Sequence, residues 1–289
     1  MKRHILYVSL IFSGLFLSSS CEDLVTEVDL PDYEPKLVMT SFISPETNSI
    51  TVMLGETMPV FGPQSTAIQN PSFPDATVIL KGPKDQSQIP WSEEHYTFYL
   101  EVLGWELQAD EEYELTATLT DGRTIRGKCR IPAEMNTSLE ITDIETIHQD
   151  FESRYIIQFR FTDLPGEGHF YRVGGYAHYQ FDQGGKETYS NRLYLSRGSE
   201  YISDTEKDGT TMSFRIEANI WGGENLQIEL FLMTTDEAYY RYHSTLDNYY
   251  GDDPFSEPTL IYSNMEDGLG IFSAYRSHHI LIDLDDPKP

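Results

Sequence analysis

The stretch Tyr113-Glu114-Leu115-Thr116-Ala117-Thr118-Leu119-Thr120-Asp121-Gly122-Arg123-Thr124-Ile125-Arg126-Gly127-Lys128-Cys129-Arg130-Ile131 decides how this chain folds. Apolar residues alternate on both sides of Asp121-Gly122, and a period of two puts one face of a strand in a core. Tyr113, Leu115, Ala117 and Leu119 share a face, as do Ile125, Gly127, Cys129 and Ile131; both sets are odd-numbered. A two-residue Asp121-Gly122 turn pairs 120 with 123, sets Leu119 opposite Thr124 and throws the two sets onto opposite faces of the sheet. A three-residue loop Thr120-Asp121-Gly122 pairs 119 with 123 instead, with Gly122 in the left-handed region that glycine tolerates. Ala117 then stands opposite Ile125 and Tyr113 opposite Cys129. On the outer face Glu114 meets Lys128 and Glu112 meets Arg130, opposite charges worth roughly 0.2–1 kcal/mol per pair. The apolar pattern therefore predicts the three-residue loop.

The same alternation runs outward from this hairpin. Leu37 to Ile43, Ser49 to Leu54, Ala76 to Lys81 and His95 to Val102 precede it, with Pro, Gly and Asn clusters between them and no helical period. Short strands at that spacing predict an antiparallel, immunoglobulin-like β-sandwich over residues 36–133. Ile131-Pro132 ends its last strand. Beyond a short passage, Leu139 to Ile147, Arg154 to Phe161, Phe170 to Phe181, Met212 to Ile220 and Leu226 to Thr234 predict a second β-rich domain over 138–289. That domain carries one amphipathic helix, at about 236–250. Thr234-Thr235-Asp236-Glu237 supplies a capping start, Tyr239, Tyr242, Leu246 and Tyr249 recur at helical spacing as a packing face, and Gly251 and Pro254 stop it.

The N-terminus reads as an export signal. Lys2 and Arg3 precede an apolar run from Ile5 to Leu17, too short for a bilayer span of about 20 helical residues. Ser18, Ser19 and Ser20 then place small side chains before Cys21. Residues 1–20 are thus expected to be a lipoprotein signal peptide, with lipidation at Cys21 holding the mature chain to a membrane. Residues 21–35, rich in Asp and Glu and holding two prolines, form an acidic tether. Acylation also settles the second cysteine: Cys129 is left unpaired on the apolar face of its strand, a core thiol and not a nucleophile.

Without Lys2 and Arg3 the chain has 18 basic residues against 47 acidic, a formal charge of −29. Such a field repels nucleic acid and anionic headgroups, so no nucleic-acid partner is expected and membrane contact is left to the anchor. No nucleophile elbow, zinc-protease motif, phosphate loop or dinucleotide fingerprint occurs. Asp204-Thr205-Glu206-Lys207-Asp208-Gly209 begins like a calcium loop and fails at its twelfth position, Arg215, where a bidentate Glu is required. His278 and His279 point to opposite faces of any strand, and for His169 and His178 the spacing supplies no third ligand. No catalytic residue, metal site or cofactor is expected.

The segment Asp253-Pro254-Phe255-Ser256-Glu257-Pro258, followed by Ile261-Tyr262-Ser263-Asn264-Met265-Glu266-Asp267-Gly268-Leu269-Gly270-Ile271-Phe272, resembles the late signature of a Bacteroidota lipoprotein family known as domain of unknown function 4249. Glu34 to Ser44 resembles that family's first strand, and Phe73-Pro74-Asp75-Ala76-Thr77-Val78 a later strand start. Asp267 stands where the pattern has a glycine. The resemblance implies an envelope lipoprotein of the outer membrane that works with a transporter of the TonB-dependent type. By their own chemistry Gly268 and Gly270 permit positive φ and Phe272 pins the segment to a core. Asn264, Gly268, Gly270 and Phe272 are therefore singled out as a functional or structural loop. The expected role is a non-enzymatic accessory or binding lipoprotein for a glycan or peptide ligand. The alternative is an envelope glycan hydrolase using a carboxylate pair.

Overall fold

The computed structural model describes residues 34–58, 73–102, 106–133, 137–148, 153–182, 186–205, 208–220, 224–249 and 260–284. The expected signal peptide, Cys21, nearly all of the acidic tether and the segment 253–258 lie outside them. Among the described residues no helix is long and apolar enough to cross a membrane.

The central hairpin adopts the register that its apolar faces demand. Strands β7 (Glu112–Thr118) and β8 (Thr124–Arg130) pair with Ala117 opposite Ile125, Tyr113 opposite Cys129, Glu114 opposite Lys128 and Glu112 opposite Arg130. Leu119 N–H donates to Arg123 O at 2.9 Å, and Gly122 takes φ +90. The outer charges pair less simply. Lys128 lies 3.4 Å from Glu112 and 3.7 Å from Glu114, while Arg130 turns to Asp110 at 3.2 Å. Strands β16 (Met265–Glu266), β3 (Thr77–Lys81) and β4 (Gln86–Ile89) complete this sheet in the order β16-β8-β7-β3-β4.

A nine-stranded sheet backs the molecule. Its order begins with β12 (Lys186–Leu193), β11 (Phe170–Asp182), β15 (Glu224–Thr235) and β17 (Leu269–Asp283). It continues with β1 (Leu37–Ile43), β2 (Ser49–Glu56), β6 (Thr97–Glu101) and β5 (Trp91–Ser92), while β13 (Tyr201–Ser203) pairs with β11 off the main path. A third sheet has the order β14 (Thr211–Ile220), β10 (Ser153–Thr162), β9 (Glu140–His148). The chain is thus mainly β, with three sheets and one short helix among the described residues.

Two apolar cores form. One gathers Met39, Ile50, Leu80, Phe98, Tyr113, Leu115 and Ile125 with Phe272 and Ala274; the other gathers Ile157, Phe159, Tyr171, Val173, Ile216 and Leu230 with Ile282. Strand β17 feeds both. It pairs in parallel with β1, Thr40 against Ile271, and antiparallel with β15, Leu230 against Ile280. Residues 269–272 thus begin a 15-residue central strand, so Gly270 and Phe272, expected in a loop, lie in β17. The reason is crowding. A Cβ on Gly268 would stand 2.7 Å from Leu37 O, and one on Gly270 would strike Met39 O, so these glycines let β17 lie tight on β1.

Helix α1 (Glu237–Asp247) packs on β17, β13, β11 and β15, and is shorter than the expected 236–250. Asp236 caps it, its Oδ1 accepting from Tyr239 N at 2.8 Å. The aromatic stripe buries only at its start. Tyr239 is buried against Phe42, with ring centroids 5.4 Å apart, whereas Leu246 and Tyr249 stay exposed.

Candidate functional site

At the start of α1 a cleft of about 600 Å³ opens between the central hairpin and the loop that follows β10. Lys128 and Arg130 line one wall, His169 and Phe170 another, and Asp236, Tyr262 and Asn264 the remainder. Its size suits a small ligand.

Asp236 is set by the junction of strand and helix. The residue is partly exposed, yet its carboxyl group lies deep, with Oδ2 accepting from Ala274 N at 3.1 Å and Asp236 N–H donating to Ala274 O at 3.0 Å. Burial outweighs these hydrogen bonds and pushes the carboxyl up to about 7. The same burial, with Asp236 and Glu112 nearby, raises the Cys129 thiol far above its ordinary range. Cys129 is buried and free.

The four residues singled out in the late segment converge on one seam. Asn264 Nδ2 donates to Phe272 O at 2.7 Å and to Lys128 O at 2.9 Å, and its Oδ1 accepts from Phe272 N at 3.0 Å. One amide thereby ties β8 to β17, with Phe272 fully buried below it. Gly270 takes φ +116; beside Gly268 it is Asp267, the departure from the glycine pattern, that takes φ +61. Gly127 makes room for the Met265 thioether, since a Cβ there would meet its sulfur at 2.7 Å.

Beside the cleft lies a cluster with the donor set of a metal site. Asp163 follows β10, His169 precedes β11 and Asp204 follows β13. Each offers one ligand atom, and all three atoms lie within 4.8 Å of one another. Backbone bonds hold the loops in place. Asp163 N–H donates to Thr210 O at 2.9 Å and Gly209 N–H to Asp163 Oδ2 at 2.8 Å, while His169 N–H donates to Asp204 Oδ2 at 2.9 Å. Across the loops, Gly166 N–H donates to Asp208 Oδ1 at 2.8 Å. The Tyr171 hydroxyl accepts from Leu164 N at 3.1 Å, and its own proton faces the Asp163 carboxylate. Burial first, and then the neighbouring Asp163 and Asp204 carboxylates, hold that phenol well above its ordinary value. The sequence marks His169 and the Asp204 loop separately; Asp163, 41 residues from Asp204, carries no local signal.

The other histidines are placed elsewhere. Glu229 binds both His178 Nε2, at 2.8 Å, and His279 Nδ1, at 2.6 Å. Burial opposes its charge, but the bonds from His178 and His279 prevail and hold the carboxyl below its ordinary value. His278 faces the opposite way, and its Nδ1 has no hydrogen-bond partner.

Fold and site together define a mainly β protein in which one long sheet backs two cores, with a cleft and a compact donor cluster where the helix begins. The chain belongs to the family described as Domain of unknown function (DUF4249), whose model matches residues 25–280. The sequence matches no curated protein. Among solved structures, a DUF3823 family protein from Bacteroides uniformis is similar at 10% identity and a TM-score of 0.16, over 82% of this chain and 100% of that one. A likeness that weak bears on neither fold nor function.

Proposed function

We propose that this chain is a lipid-anchored protein of the outer membrane, acylated at Cys21. In this role it is a non-enzymatic accessory or binding lipoprotein that works with a transporter of the TonB-dependent type. Residues 36–133 serve as an immunoglobulin-like module in this reading, and the cleft takes a glycan or peptide. The observation that carries the reading is the state of Asp236. Its two oxygens each accept a backbone N–H, from Tyr239 and from Ala274, so the most buried carboxyl of the cleft serves the junction of strand and helix. Support for a partner surface comes from the far end of α1. Leu246, Tyr249, Leu260 and Ile261 are exposed there, and Tyr262 N–H, donating to Thr245 Oγ1 at 2.9 Å, ties the segment after the last two to the helix.

The test is cross-linking and affinity capture of the full lipidated chain from membranes, followed by mass spectrometry. The expected product is an outer-membrane β-barrel receptor, lost together with membrane attachment in Cys21→Ala. Recovery of no membrane protein, or release of reducing sugar from envelope glycans by the purified chain, would overturn the proposal in favour of the hydrolase.

A further inference from the structure

We infer that Asp163, His169 and Asp204 form a binding site for one divalent transition-metal ion of the zinc class. Acidic clusters are common in a chain with 47 carboxylates, and burial sets this one apart. Asp163 and Asp204 are each only 3% exposed, and no Lys or Arg ion pair is recorded for either. Two like charges out of water, without a cation, are a costly arrangement. Asp163 Oδ1 and His169 Nδ1 are both buried and both without a hydrogen bond.

The contact between His169 and Asp204 answers only part of this. His169 Nδ1 stands 3.4 Å from Asp204 Oδ2, outside a normal charge-assisted hydrogen bond, and that contact leaves Asp163 Oδ1 with no neighbour but the neutral Tyr171 hydroxyl. A metal ion accounts for both atoms. Ligands about 2.05 Å from a tetrahedral centre stand about 3.3 Å apart, close to the His169–Asp204 separation. Two carboxylates and a neutral imidazole carry the charge that a divalent ion neutralises. The nitrogen donor favours zinc over calcium, which takes oxygen ligands. Gly209 N–H on Asp163 and His169 N–H on Asp204 act as outer bonds that orient metal carboxylates. Three protein ligands leave a fourth position, and His169 lies in the cleft wall, so the ion would clip the 163–169 loop to Asp204 at the end of β13, at the edge of the cleft.

The experiment uses the full chain, stripped with a chelator and equilibrated with Zn²⁺ at about 0.15 M salt, where surface charges are screened beyond roughly 8 Å. Bound zinc is counted after desalting, and Co²⁺ serves as a spectroscopic probe. Wild type is expected to keep one zinc per chain that Asp163→Asn and His169→Gln lose, and to show visible Co²⁺ bands that both variants lack. Its thermal midpoint should rise by about 5 °C at zinc 100-fold above Kd, with no rise in the variants. Should Asp163→Asn not fold by circular dichroism, His169→Gln, at a partly exposed position, carries the comparison. Equal zinc retention and equal Co²⁺ spectra in wild type and folded variant would overturn the site. So would a calcium-dependent midpoint that zinc does not reproduce.

Discussion

Gly270 carries a constraint that other residue types do not meet. Its φ of +116 and its closeness to Met39 O leave no room for a side chain, so Gly270→Ala should cost about 3–5 kcal/mol in urea unfolding. Asp267 is the reverse case. It sits at φ +61, where glycine is at ease, and Asp267→Gly should stabilise by about 0.5–1 kcal/mol in the same assay. Asn264 makes three hydrogen bonds across the seam, so Asn264→Ala should destabilise by about 2–3 kcal/mol; a loss below about 0.5 kcal/mol would mean that water replaces them. The Cys129 thiol is buried and its ionisation disfavoured, so alkylation in native buffer should proceed only through opening of the fold, at least 100-fold slower than in denaturant.

At the scale of the element, α1 is held by two groups with opposite responses to pH. The Asp236 carboxyl is raised from 3.8 to about 7, mainly by burial, so its contribution is complete below about pH 4 and lost as pH rises through 7. His243 stacks on Phe42 and Tyr201. Burial, and then Arg172 and Arg192, lower it from 6.5 to about 4, so its contribution is complete above pH 6.5 and lost as pH falls through 4. Between about pH 4 and 6.5 the two slopes oppose each other. Relative to the parent, Asp236→Asn should make stability climb with pH across that window, and His243→Gln should make it fall, each by on the order of 1–3 kcal/mol. Urea midpoints at pH 4.5 and 6.5 read the difference, and parallel profiles for all three proteins would remove both assignments.

At the scale of the molecule, β17 is the shared element. It contributes Phe272 and Ala274 to one core and Ile282 to the other, with strands hydrogen-bonded along both edges. A fragment of residues 36–133 lacks β17 beside β1 and β16 beside β8. It should therefore expose those edges and the Phe272 pocket, and show no cooperative unfolding. Hydrogen exchange should find the amides of 271–282 among the slowest in the intact chain. A fragment that unfolds cooperatively by itself would show that β17 only decorates a self-sufficient core.

Local pattern alone determined most of the strands, the hairpin register and the helix start. Each follows from alternation, a turn glycine or a capping residue within a few positions, and the pairing of Ala117 with Ile125 needed only the parity of its neighbours. Family membership was legible in the same way, from the late segment 253–272 and the strand starts at 34 and 73. Only the tertiary structure decided what lies far apart in the chain. A parallel pairing of Thr40 with Ile271 leaves no local trace, because alternation marks which face of a strand is buried and not which distant strand lies beside it, and it turned two glycines expected in a loop into points of close approach. The donor cluster is the same case. Asp163, His169 and Asp204 are ordinary polar loop residues one by one, and they gather only because sheet pairing brings the 163–169 loop against the end of β13 and buries the two carboxylates.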